Sequence, residues 1–301
     1  MKKANYLFIA LITILSFSCQ KLFNGEIFIT EDITENTIWE AKNTYIIEGC
    51  ISVQADLTIE PGTTIKFNPA SKLTIGDVAY GSMVADGTED EPIIFTSNAK
   101  IKSAGDWEYI EFAQYNSSSR SSMTYCTIEY GGLSESMLYI TSTSIKMNYC
   151  TIQNSKNNGL HFYYEGKFSE CKNNKIWNCG KHPVNTHINA IHTLDASNEI
   201  LADNGFGIFI NGHFYEIDGQ YTWQNFDADY IVSESFSVAL ENSNSSLTLM
   251  PGCTLKFNAD VFLYVGQYYY GKLTAVGTPE APITFTSSSS SPSAGDWGSI
   301  V

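Results

Sequence analysis

The amino-acid sequence predicts an all-β fold, a right-handed parallel β-helix with about 24-residue rungs. Three observations predict it. A long segment beginning at Leu57 returns from Leu247 onward, and apolar residues recur at a fixed, shorter period between the two copies. The strands that these periods mark out are each too short to be stable alone, so stacking on one another must bury them.

The N-terminus carries targeting information and is set apart from the fold. Lys2 and Lys3 precede an apolar run from Leu7 to Leu15, followed by Ser16-Phe17-Ser18 and Cys19. The run is shorter than the ~20 residues of a membrane span. A small residue directly before a cysteine resembles the lipobox of bacterial lipoproteins, which implies acylation of Cys19 and removal of residues 1–18. Ser16 stands where the lipobox usually has Leu. Acyl chains on Cys19 are then the expected membrane attachment. Loss of Lys2 and Lys3 moves the formal charge from −15 to −17. Such a chain repels nucleic acid and anionic lipid, and no basic patch offsets that. Its one arginine, Arg120, lies in a serine-rich loop.

From there the chain divides into a tether over 19–28, a first solenoid copy over 29–217 and the start of a second over 218–301. Leu57-Thr-Ile-Glu-Pro61-Gly62-Thr-Thr-Ile-Lys66-Phe67-Asn68 returns as Leu247-Thr-Leu-Met-Pro251-Gly252-Cys-Thr-Leu-Lys256-Phe257-Asn258. Gly76 matches Gly266, Phe95-Thr96-Ser97 matches Phe285-Thr286-Ser287, and Gly105-Asp106-Trp107 matches Gly295-Asp296-Trp297, all without a gap. The unit reads as short alternating strands between turn signals such as Pro61-Gly62. The second copy stops at Val301, where a further strand is due, which predicts that the chain is a fragment of a longer solenoid.

Between the copies, Ile128, Ile152, Ile176 and Ile200 form an evenly spaced column, with Cys126, Cys150, Asn174 and Asn198 two places before them. Ser136, Leu160, Val184 and Ile208 stand eight places after, and Leu138, Phe162, Thr186 and Ile210 ten places after. Leucine-rich repeats share the period but need a Leu-x-x-Leu-x-Leu run, which is absent. Stacked Asn174 and Asn198 are expected to form an amide ladder at a corner. Stacked Cys126 and Cys150 sit slightly too far apart for a relaxed disulfide and read as buried thiols, as does Cys253. Cys171 and Cys179 lie in one rung and could pair, although structural thiols are the preferred reading.

The runs L-T-I-x-P-G-T-x-I-K-F, P-I-x-F-T-S and G-D-W resemble those of the parallel β-helix lipoproteins of Bacteroidetes-type bacteria. The resemblance covers Trp39 to about Asn211 and Trp223 to Val301. It implies a right-handed parallel β-helix and a cell-envelope, outer-membrane location, with the face of that membrane left open. It brings no catalytic residues. Asp106 and Asp296 are expected to bond neighbouring backbone, and the tryptophans to pack on the coil.

Chemistry is sparse by comparison. Lyases of acidic polysaccharides need a base beside an arginine or cation, and hydrolases need converging carboxylates. No motif for either stands out, and Glu89-Asp90-Glu91 reads as a solvated turn. The lead is the face opposite Leu160 and Phe162, where strand alternation turns His161 and Tyr163 outward. The register of the isoleucine column stacks Met137, His161, Asn185 and Phe209 in one outward column, and Tyr139, Tyr163, His187 and Asn211 in the next. Rings, imidazoles and amides on a flat sheet match what a sugar needs, a stacking face and hydroxyl partners. The expected ligand-binding residues are therefore Tyr139, His161, Tyr163, Asn185, His187, Phe209 and Asn211. No cofactor or metal is expected. The resulting reading is a non-catalytic glycan-binding or adhesion lipoprotein, with a polysaccharide-degrading lyase or hydrolase as the alternative.

Overall fold

The structure, a computed structural model, describes residues 22–23, 25–212 and 215–301. The leader over 1–18 and Cys19 lie outside the described residues. The chain winds as a parallel β-solenoid of about ten turns. One ten-stranded sheet, from Cys50–Val53 to Thr284–Ser287, runs the length of the coil. A nine-stranded sheet ends at Glu199–Ile200 and a six-stranded sheet ends at Lys167–Lys172. Each full turn visits the six-, nine- and ten-stranded sheets in that order. Past the six-stranded sheet come a 3-10 turn at Ile191–Thr193 and two small parallel sheets of three and two strands.

Among the described residues the strand pairings are parallel except one, in which Leu22–Phe23 runs antiparallel to Glu26–Ile29. Strands thus begin inside the stretch expected to be a tether. The strand Glu26–Ile29 pairs in turn with Thr44–Ile47, so it forms the first rung proper.

Alternation builds the core. Ile128, Ile152, Ile176 and Ile200 pair successively across the nine-stranded sheet, each 3% exposed or less. Burial of an isoleucine side chain is worth roughly 1.5–3 kcal/mol. Stacking repeats that gain at every rung.

The corners are single residues in left-handed backbone, spaced like the rungs. Tyr125, Tyr149 and Asn173 hold φ of 48°, 55° and 55° before the nine-stranded sheet, and Tyr130, Asn154 and Asn178 hold 64°, 57° and 48° after it. This conformation costs a non-glycine residue roughly 1–2 kcal/mol, and least for Asn. The Tyr125 and Tyr149 rings stack at 4.7 Å on the outside of their corner.

The expected amide ladder is present, and it extends into the cysteines. Asn198 Oδ1 accepts from both the backbone N–H and Nδ2 of Asn174, each at 2.9 Å. Asn174 Oδ1 accepts from Cys150 N–H at 2.8 Å, and Cys150 Sγ accepts from Cys126 N–H at 3.4 Å. Thiol and amide thus perform one task, satisfying a corner N–H that has no strand partner. Cys50, Cys126, Cys150, Cys171, Cys179 and Cys253 are all free; Cys50 is exposed and the other five are buried.

Asp106 Oδ2 accepts from Ser103 N–H at 2.9 Å and from Ser97 Oγ at 2.6 Å, as expected of a turn carboxylate. Trp107 stacks on Phe67 at 4.1 Å, and Trp297 stacks on Phe257 at 4.5 Å, so the two copies repeat the contact.

The copies do not, however, occupy equivalent sheets. Thr64–Phe67 belongs to the nine-stranded sheet, whereas its duplicate Thr254–Phe257 belongs to the ten-stranded one. Lys72–Ile75 belongs to the ten-stranded sheet and its counterpart Leu263–Val265 to the two-stranded one. The second copy is one face out of phase with the first.

Candidate functional site

The register read from the sequence fails in one place, and that place is the outward face singled out there. Leu138 pairs with Leu160, Tyr139 with His161 and Thr141 with Tyr163, an offset two positions short of the period. The corner from Ile128 to Leu138 holds two more residues than the corner from Ile152 to Leu160, because Tyr130–Glu135 makes a longer turn. The spacing is restored in two steps, one residue in the corner from Tyr163 to Lys167 against Thr141 to Ser144, and one at a bulge between Ile145 and Lys146 in the next sheet. Met137 therefore does not stack on His161. It is fully buried, and its sulfur accepts from Gly131 N–H. The apolar columns shift likewise: Leu138, Leu160, Val184 and Ile208 share one column, and Ile140, Phe162, Thr186 and Ile210 the next.

The outward column of the ten-stranded sheet is continuous through Glu111, Tyr139, His161, Asn185, Phe209 and Ile231 to Lys256. Tyr139, His161, Asn185 and Phe209 thus come together as one ladder. Tyr163 pairs with Thr141 in the neighbouring position. His187 and Asn211 lie just beyond the strand ends, at the bend that leaves the sheet.

The face is not the open, flat platform expected. His161 is 4% exposed, His187 2% and Asn185 5%, whereas Tyr163 and Tyr164 stand out at 43% and 45%. Rings cover the imidazole of His161: Tyr139 lies 5.3 Å away, and Tyr163 packs edge-on at 5.5 Å. Tyr109 meets Tyr139 at 5.0 Å, and Tyr163 meets Tyr164 at 4.2 Å, which completes a run of five rings across the face.

Burial sets the electrostatics. His161 Nδ1 has no hydrogen-bond partner among the described residues. Desolvation, then the neighbouring His187, lowers the pKa of His161 to about 4, so the ring is neutral at physiological pH. His187 Nε2 lies 2.9 Å from Gly166 O. Gly166 itself is packed so closely that a Cβ would meet Ile140 O at 1.7 Å, which fixes that bend as glycine. Tyr139 is pushed up to about 12 by burial and by Glu135, and its hydroxyl accepts from Ser136 N–H. Asn185 donates to Glu135 at 3.4 Å and accepts from Asn211 at 2.9 Å.

Sequence reasoning missed three groups here. His182 packs its ring on Phe209 at 4.8 Å and on Phe206 at 5.1 Å. Glu135 sits in the longer corner that breaks the period. Glu111 extends the ladder, bonded by Thr141 at 2.8 Å, with its carboxyl raised by burial. Its alternation in Ile110-Glu111-Phe112 was the available signal. Among the described residues no group of three or more His, Cys, Asp and Glu side chains could hold a metal ion, and no helix is long and apolar enough to cross a membrane.

A family model described as a pectate-lyase-like β-helix domain matches residues 31–184. Neither the curated proteins nor the solved structures gave a match. The matched stretch takes in Glu111, Tyr139, His161 and Tyr163 and stops one residue short of Asn185.

Proposed function

The chain belongs to the pectate-lyase-like β-helix family, and from that premise we propose that it is a non-catalytic glycan-binding or adhesion module, tethered to the bacterial cell envelope through acylated Cys19. The observation that carries this reading is the run of rings from Tyr109 to Tyr164 beside the amides of Asn185 and Asn211. Exposed tyrosines offer faces for a pyranose, and the partly exposed Asn211, held by the buried Asn185, offers a hydroxyl contact at little entropic cost. His161 and His187 lie beneath, as supports that set the rings rather than as groups that touch sugar.

The test is binding of the mature chain to a panel of soluble polysaccharides by affinity electrophoresis. Joint replacement Tyr163→Ala and Tyr164→Ala is expected to weaken binding at least tenfold, with thermal stability nearly unchanged because both rings are exposed. Unaltered retardation of the variant would remove this face from consideration.

One observation favours a second reading, a polysaccharide-degrading enzyme. Glu111 is a half-buried carboxyl with a raised pKa on the same ladder, the state a general acid needs. Reducing-sugar release and unsaturated-uronide absorbance, followed on the same panel, separate the two readings.

A further inference from the structure

A cleft of about 220 Å³ opens on the second copy, lined in part by Tyr215, Glu216, Tyr264, Gln267, Tyr268 and Tyr269. It opens on the face that follows the last rungs of that ladder, past Phe209, Ile231 and Lys256, and begins two rungs beyond Tyr163. Tyr268 is 82% exposed and Tyr215 60%. Exposed rings grouped around a concavity call for an explanation, because the fold gains little from them.

The duplication shows that the fold does not require these rings. The loop Gly266 to Gly271 repeats the loop Gly76 to Gly81 on the same backbone. Gly76 and Gly266 hold φ of 70° and 71°. A Cβ on Gly81 would meet Val53 O at 2.1 Å, and one on Gly271 would meet Val238 O at 1.6 Å. Between those glycines the first copy carries Asp77-Val78-Ala79-Tyr80 and the second Gln267-Tyr268-Tyr269-Tyr270. In the preceding strand, Lys72 and Thr74 become Phe262 and Tyr264, whose rings stack at 5.8 Å. One turn geometry thus supports two surfaces, charged in the first copy, and aromatic and uncharged at the same positions in the second.

We propose that this tyrosine-lined cleft is a second glycan subsite, selective for uncharged polysaccharide. The proposal rests on the glycan-binding reading above and adds to it a location and a ligand class. Tyrosine gives a large, rigid stacking face with a polar tip, at the entropic cost of two torsions. Gln267 and Glu216 supply hydroxyl partners at the rim. A polyuronate would instead meet a carboxylate, no cation among the described lining residues, and a chain whose net charge is −15. The volume lies below the ~300 Å³ at which pockets for drug-sized ligands begin. That suits one or two sugar units of a chain lying across the surface.

The test grafts the first copy's loop into the second: Gln267→Asp, Tyr268→Val and Tyr269→Ala together, in the full mature chain. The backbone already accepts those residues in the first copy, so the melting temperature is expected to stay within a few degrees. Hydroxyethylcellulose and laminarin serve as uncharged probes, polygalacturonate as the acidic one, and phosphatidylglycerol vesicles as a membrane surface. The expected result is at least a tenfold loss of affinity for one of the uncharged glucans, with polygalacturonate bound weakly by both proteins. If the graft leaves all binding intact while Tyr163→Ala/Tyr164→Ala abolishes it, this subsite is overturned and the ladder stands. Preferential binding of polygalacturonate, or vesicle binding that the graft alone removes, overturns the proposal as well. Failure of the unaltered protein to bind any glycan sinks both readings together.

Discussion

His161 shows how a side chain can be conspicuous in the sequence and inert on the surface. Its folded pKa of about 4 lies below the usual 6.5 because burial disfavours the imidazolium. Unfolded chains therefore take up a proton that folded chains refuse. The stability this provides is complete above about pH 6.5 and is lost as pH falls toward 4, by roughly 3 kcal/mol in all. Melting temperatures measured between pH 7 and pH 4.5 are expected to fall more steeply for the native chain than for His161→Gln, which keeps the shape without the titration. Parallel profiles for the two proteins would show that this ring does not govern acid stability.

At the scale of single elements, the corner ladder assigns one role to two chemistries. Asn174 accepts the Cys150 N–H and donates to Met147 O at 2.8 Å, so Asn174→Ala strands a buried donor and a buried acceptor. That costs about 1–3 kcal/mol for each group left unpaired. Asn174→Cys keeps an acceptor where the chain already uses Cys150, so it is expected to cost clearly less. Chemical denaturation of the two variants measures the difference, and equal losses would mean that the sulfur is not a substitute acceptor. Columns of this kind were legible in the sequence wherever the corner lengths agreed. Ile128 to Ile200 could be read from spacing alone because every rung between them has the same total length, however its residues are shared among the corners. The outward ladder could not be read that way. Two extra residues at Tyr130–Glu135, made good by one residue in the following corner and one at the bulge by Ile145, are invisible to a periodicity count, and they put Tyr139 rather than Met137 above His161. Exposure was equally hidden, since alternation tells which face a histidine occupies but not that tyrosines from the rungs around it will cover it.

For the whole molecule, stability is a sum over neighbouring rungs, as in any stack in which each unit touches only the next. Ile152→Ala, in the middle of its column, is expected to cost about 2–4 kcal/mol. Hydrogen exchange should then lose protection first at 127–129 and 175–177, the strands that pair with it, and least in the second copy. A uniform loss along the entire chain would indicate a single cooperative unit instead. The existence of the duplication was evident from the sequence, but its placement was not, because the same strand-and-turn pattern fits any face of the coil. Only the summed lengths of the intervening corners decide which face receives it.

From Lys72–Ile75 to Thr254–Phe257 the ten-stranded sheet takes seven steps, and the copies differ by one face besides. The loops Gly76–Gly81 and Gly266–Gly271 therefore leave the coil at different azimuths, separated by an axial rise of roughly 34 Å at ~4.8 Å per rung. A stiff linear polymer laid straight along the coil meets one loop and misses the other, and a chain that touches both must wind as it climbs. The charged loop of the first copy is therefore no continuation of the aromatic loop of the second: each faces its own direction, and a straight chain resting on the tyrosines never passes beneath Asp77.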